Sequence, residues 1–234
     1  VKSLLKLLIA VLLEEKIVMC CSDTGVLTSC VTGLTAMLRP YAWQGTFLPI
    51  VPHNMYAVLD SPIPFVVGIA TKASMMPSLG HFDGVIVDLH EDTVIGRSNF
   101  PRLPNSDKLY DVFSDYAEAV ESSGHASNPC KTSQADTDAL SKLLAALQLW
   151  HTYLLEQLAT VPSVGLDFKW SNIKDVEQVI RALPSSERDF YREFVETQHF
   201  SIVSDRLNAI VCQIRSRKDH QKQVQKLEHI FTSH

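Results

Sequence analysis

Apolar blocks alternate with short polar breaks through the first forty residues. Leu4, Leu5, Leu8 and Leu12 recur at helical spacing and predict an opening helix, stopped by Glu14-Glu15-Lys16. Ile17 to Cys21 is continuously apolar and partly β-branched, which predicts a strand buried on both faces, as in a parallel sheet. Ser22, Asp23 and Thr24 offer N-cap oxygens and Gly25 eases the turn, so a second helix is expected from about Val26 to Leu38. Then the pattern breaks. Pro40, Pro49 and Pro52 fix φ and remove backbone donors. They forbid a long helix and frame a strand over Thr46 to Val51, with Trp43 and Gln44 in the turn before it.

Pro52 to Leu59 reads as a turn and a short helix. Pro64 to Ile69 is another apolar run, and Gly84 to Leu89 reads as a strand with Asp88 near its end. Thr93 to Ile95 can pair back across Glu91-Asp92. Helices alternating with buried strands imply a layered α/β unit over roughly residues 1–100. Residues 97–137 are richer in Pro, Ser and Asn and predict a partly helical connector with a flexible loop near 121–136. Beyond it the spacing is helical. Asp136 or Asp138 is expected to cap a helix reaching Ala159, with Leu140, Leu143, Leu144, Leu147, Trp150, Tyr153, Leu154 and Leu158 recurring at helical spacing. A further helix is expected over Ile173 to Leu183, and Pro184-Ser185-Ser186-Glu187 forms the turn into the next. Two helical stretches follow over Phe190 to Arg206, and a polar one over Leu207 to Ile230. No internal repeat is evident. The fold class is an α/β layered sandwich, a mostly parallel central sheet flanked by helices, followed by an all-α C-terminal part.

Composition narrows the function classes. The 234 residues are 46% hydrophobic and 20% charged, ordinary for a globular chain. A net charge of -5 gives no reason to expect nucleic acid as a partner. Five cysteines, Cys20, Cys21, Cys30, Cys130 and Cys212, include no C-x-x-C and read as reduced, mostly buried thiols. This points to a cytoplasmic setting. The chain opens on Val1, as a fragment of a longer protein would. Lys2 and Lys6 before an apolar run imitate a signal peptide, but Glu14-Glu15-Lys16 breaks the run without a small-residue cleavage site, and the run is too short to span a bilayer.

Candidate chemistry is thin. Ser22-Asp23-Thr24-Gly25 occupies the strand-to-helix position of a phosphate-binding turn, but it has one glycine and an acid that repels phosphate. His81, Asp83, Asp88 and His90 crowd ten residues without metal-ligand spacing, so no metal and no cofactor is expected. No G-x-S-x-G is present, and an apolar strand around Cys20 and Cys21 raises thiol pKa and hides sulfur. Arg215, Arg217, Lys218, Lys222 and Lys226 form a basic helical segment that could touch an anionic membrane or an acidic partner, but Asp219 and Glu228 dilute it and a solvated face is the better account. A protein without an evident small-molecule site acts through its surface.

Several ordered segments resemble a DENN domain. They are Leu12-Leu13-Glu14-Glu15-Lys16-Ile17-Val18, the Ser22 turn, Leu38-Arg39-Pro40-Tyr41-Ala42-Trp43-Gln44 and Phe47-Leu48-Pro49-Ile50-Val51-Pro52. Pro62-Ile63-Pro64-Phe65-Val66-Val67-Gly68 and Val85-Ile86-Val87-Asp88-Leu89 continue the series. Phe194-Val195-Glu196-Thr197-Gln198-His199-Phe200 is similar to the Thr-Gln-x-Phe motif of the C-terminal DENN region. Two departures stand out: His90 where many relatives carry a second Asp, and Val203 where many carry an aromatic residue. The resemblance implies a central DENN region over 1–162 and a C-terminal helical region over 163–234. It also implies a longin-like lobe, in the same protein or in a partner chain.

The activity implied is that of a guanine nucleotide exchange factor for a Rab-type small GTPase in vesicle traffic. The alternative is a non-catalytic DENN-like scaffold or regulatory subunit that binds GTPases or a longin-domain partner. Such proteins are cytoplasmic, with recruitment to endomembrane surfaces. In the family the GTPase docks between the longin-like and DENN lobes. Trp43, Gln44, Asp88 and His90 are the expected partner-binding residues. Pro40, Pro49, Pro52, Thr197, Gln198 and Phe200 are expected to serve lobe packing.

Overall fold

The computed structural model describes residues 1–123, 132–159, 161, 170 and 172–204. Its organising element is a five-stranded sheet in the order β2-β3-β1-β4-β5. The strands are β1 (Ile17–Cys20), β2 (Thr46–Leu48), β3 (Phe65–Ile69), β4 (Val85–Asp88) and β5 (Thr93–Ile95). The first four run parallel, and β5 returns antiparallel against β4, Asp88 opposite Thr93. Asp92, at a positive φ of 48°, makes the return tight enough for so short a link. Central β1 and its neighbours β3 and β4 are buried throughout, which is why they read as unbroken apolar runs.

The two faces are covered differently. Ile17, Met19, Val66, Val85 and Val87 turn towards α1 (Lys2–Leu12) and α2 (Thr24–Ala36), in one core with Leu8, Leu12, Leu27 and Val31. Val18, Phe65, Val67, Ile69 and Ile86 face the other way, covered by Val51, Met76 and Leu79 in the segment that carries short 3-10 turns over His53–Asp60, Ala73–Met75 and Pro77–His81. Gly68 sits where α2 and the end of β2 converge. A Cβ there would collide with the Pro49 carbonyl and press on Leu27.

Helices form a third layer over α1 and α2. They are α3 (Ser106–Ser123), α4 (Gln134–Ala159), α5 (Ile173–Ala182), α6 (Arg188–Phe194) and a last helical stretch over 198–204. Trp150 Nε1–H on α4 donates to the Pro104 carbonyl at 2.7 Å, and Tyr191 O–H on α6 donates to Leu154 at 3.3 Å. These bonds satisfy polar atoms that apolar packing would otherwise strand. Phe190, Phe194 and Phe200 fill the space between, all buried.

Some boundaries differ from the sequence reading. The second helix begins at Thr24, because Asp23 is its N-cap and accepts from Gly25 and Val26 N–H at 2.8 and 2.9 Å. The second strand stops at Leu48, since Pro49 has no N–H to continue the ladder. Helix α4 starts at Gln134, ahead of both proposed caps. Ser133 does the capping: its Oγ accepts from Asp136 N–H at 3.1 Å, while Asp136 accepts from Ser133 N–H at 2.7 Å. The connector is more helical than expected, with α3 running through Ser123. The core of the expected loop (124–131), Cys130, Cys212 and the basic segment Arg215 to Lys226 lie outside the described residues. Among the described residues no helix is long and apolar enough to cross a membrane.

Candidate functional site

A parallel sheet has two chemically different edges. Residues that follow its strands gather at one, and residues that precede them gather at the other. Ser22 after β1, Ala73 after β3, and Asp88 and His90 at the end of β4 meet at the carboxyl edge. Between β1 and β4 the chain switches sides of the sheet, and open α/β folds place ligands at that switch.

At this edge Asp88 is buried at 5% exposure, and its carboxylate is occupied. Oδ1 accepts from the His90 and Glu91 N–H groups at 2.9 and 3.3 Å, and Oδ2 accepts from Ala73 N–H at 3.3 Å. One side chain thus pins the β4–β5 turn to the loop after β3. His90 is exposed. Its Nε2 accepts from Ser22 N–H at 2.9 Å and lies 3.0 Å from Ser22 Oγ, tying that turn to the start of α2. Cys20 lies beneath, its thiol pushed up to about 11 by burial and by neighbouring Asp88 and Cys21. It stays a protonated, poor nucleophile. Among the described residues no cluster of three His, Cys, Asp or Glu side chains could hold a metal ion.

Trp43 and Gln44 precede β2 and therefore sit at the amino edge. Trp43 is half-buried; its Nε1–H donates to Thr46 at 3.2 Å and its ring lies 5.6 Å from His199. Gln44 is exposed, and its side-chain amide donates to the Ala42 carbonyl at 2.9 Å. The four expected partner-binding residues are therefore divided between opposite edges: Asp88 meets His90, and Trp43 adjoins Gln44. The packing residues are placed as follows. Pro40 is exposed after a cis Arg39–Pro40 peptide, Pro49 abuts Gly68, and Pro52 precedes the first 3-10 turn. Thr197 Oγ1 accepts from Phe200 N–H at 3.2 Å and starts the last helical stretch, Gln198 points to solvent, and Phe200 is buried beside Trp170.

Sequence reasoning missed the polar lock beneath Trp43. Glu14, at a φ of 56°, accepts from the Gln198 and His199 N–H groups at 2.9 and 3.0 Å. It thereby places a carboxylate on the N-terminus of another helical stretch. The buried His199 ring faces the Ala42 carbonyl at 3.2 Å and the Val11 carbonyl at 3.3 Å. Next to it, Tyr41 packs edge-on against His151, whose Nε2–H donates to Met37 at 2.9 Å. Burial drives His151 down to about 4, with the Met37 bond opposing and His199 adding to the fall. The available signals were the Thr197–Phe200 motif, which contains His199, and the Leu12–Val18 segment, which contains Glu14; neither reveals that the two meet.

A cavity of about 510 Å³ also opens at the amino edge, on the face that the 3-10 turns cover. Lys16, Tyr56, Asp60, His81, Phe82 and Asp83 frame it.

Residues 1–92, α1 through β4, match the family model of the DENN (AEX-3) domain. The resemblance read from the sequence is borne out over that stretch. DENN domain-containing protein 1A of Xenopus laevis is 33% identical over 106 residues, 45% of this chain and 10% of that protein. DENN domain-containing protein 2B of Homo sapiens is 31% identical over 98 residues, 41% and 8% respectively. Elicitor of plant defense protein 1 of Verticillium dahliae is 31% identical over 118 residues, 50% and 10%. The matched stretches are thus about a tenth of the length of these relatives.

Proposed function

We propose that this chain is the DENN lobe of a guanine nucleotide exchange factor for a Rab-type small GTPase in membrane traffic. The observation that carries the reading is the DENN domain match from α1 through β4. Residues 1–162 form the central region and 163–234 the C-terminal helical region, and a longin-like lobe, in cis or from a partner chain, completes the cleft.

Exchange needs no acid, base or nucleophile. GTPase switch loops are held by nucleotide phosphates and Mg²⁺. A protein that binds the nucleotide-free switch conformation more tightly lowers nucleotide affinity by the same coupling free energy. Shape, a firm backbone and a few exposed polar groups suffice. His90 and Gln44 are the exposed members of the four candidates and the ones assigned to contact the GTPase. Asp88 and Trp43 act through them, by fixing the turns that carry them.

The test is the affinity of the full-length parent protein for a Rab panel in nucleotide-free and GDP-bound forms. Preference of at least about tenfold for one or a few nucleotide-free Rabs is expected, a coupling of about 1.4 kcal/mol. The Gln44→Ala/His90→Ala double variant should lose most of that preference while melting normally. Equal affinity for both forms of every Rab bound would mark a scaffold and overturn the exchange reading.

A further inference from the structure

The cavity at the amino edge has a chemistry of its own. Two crossovers build it. Tyr56 and Asp60 come from the 3-10 turn between β2 and β3, and His81, Phe82 and Asp83 come from the segment entering β4. Its aromatic walls are braced from behind. The Phe82 ring lies 5.9 Å from that of buried Phe65 on β3, and the Tyr56 ring lies 4.8 Å from that of His53. At about 510 Å³ it falls in the size range of ligand pockets.

The polar groups at its mouth are unengaged. Lys16, Asp60, His81 and Asp83 make no side-chain hydrogen bond or ion pair with other described residues. Glu15 and Glu193, by contrast, share Arg97, and Asp107 pairs with Arg102. Two carboxylates against the single Lys16 ammonium leave a net negative mouth over aromatic walls. An anion would meet Asp60 and Asp83. A bare apolar side chain would leave their charges unmatched. A planar cation suits every component, because guanidinium pairs with carboxylates in a fork and stacks on aromatic rings.

We infer that this cavity anchors an arginine side chain from a partner protein segment, held between Tyr56 and Phe82 and paired with Asp60 and Asp83. The site lies at the sheet edge opposite His90 and Ser22, so a segment seated here leaves the carboxyl edge free.

The full chain, uniformly labelled with ¹⁵N, is titrated with N-acetylarginine amide, N-acetylcitrulline amide and N-acetylglutamate amide. Saturable amide shifts confined to 56–60 and 81–84 are expected with the arginine probe. The neutral citrulline isostere and the Asp60→Asn/Asp83→Asn variant should each bind at least about tenfold more weakly. Both substituted positions are exposed, and an unchanged spectrum elsewhere verifies that the variant is folded. No saturable shift with arginine, equal binding of citrulline or glutamate, or undiminished arginine binding by the variant each overturns the proposal. None of these results bears on Rab exchange.

Discussion

Glu14 shows how much one side chain can organise. It stands just past α1 with a left-handed backbone, and its carboxylate takes two backbone N–H groups nearly two hundred residues further along. Charge-assisted bonds to a helix N-terminus are stronger than neutral ones. Glu14→Gln keeps the shape and loses the charge, and should cost about 1–2 kcal/mol in urea unfolding. A cost indistinguishable from zero would mean that the lock is held by packing alone. His151 gives a pH signature. Its folded pKa of about 4 lies below the ordinary value of 6.5, so as pH falls the unfolded chain takes up the proton first. Its contribution is complete above about pH 6.5 and is lost progressively down to about pH 4, roughly 3 kcal/mol in all. His151→Gln keeps a donor for Met37 and does not titrate, so its stability should vary less between pH 7 and pH 4.5 than the wild type's. Parallel pH profiles for the two proteins would contradict the assignment. Neither residue was legible beforehand, since Glu14 and His151 acquire their roles from partners distant in sequence.

At the scale of elements, local chemistry was readable and long-range placement was not. The β1, β3 and β4 strands announced themselves because burial on both faces demands unbroken apolar runs. The Asp23 cap, the proline-bounded β2 and the β4–β5 return followed from turn chemistry. The α4 cap was misplaced because Ser133 and Asp136 form a reciprocal pair, and either end of such a pair looks like the cap in sequence. The division of Trp43 and Gln44 from Asp88 and His90 needed the sheet order. Spacing cannot reveal that one pair precedes a parallel strand while the other follows one. Close approach between elements is likewise invisible in sequence, and Gly68 is the sharpest case. Gly68→Ala should destabilise the fold by more than about 1 kcal/mol, because the Pro49 backbone and Leu27 cannot both retreat within a packed core. Wild-type thermal stability in that variant would contradict the tight β2–β3–α2 junction.

For the whole molecule, three layers give the sheet unequal faces. One lies under α1, α2 and the C-terminal helices in a continuous core, and the other, among the described residues, lies under Val51 and short 3-10 turns. Rigid strands deliver polar turns to both edges, and the Glu14–His199 lock joins the helical part to the base of α1. Such a body suits action by docking, where a firm surface favours one conformation of a partner. The central claim is that this surface favours the nucleotide-free state of a small GTPase. Its most direct measurement is the rate of fluorescent GDP release from a Rab panel with and without the full-length parent protein. Acceleration of at least about tenfold for one Rab or a small subset, lowered by Gln44→Ala/His90→Ala, is the predicted result. Release at the intrinsic rate from every Rab in the panel would contradict it.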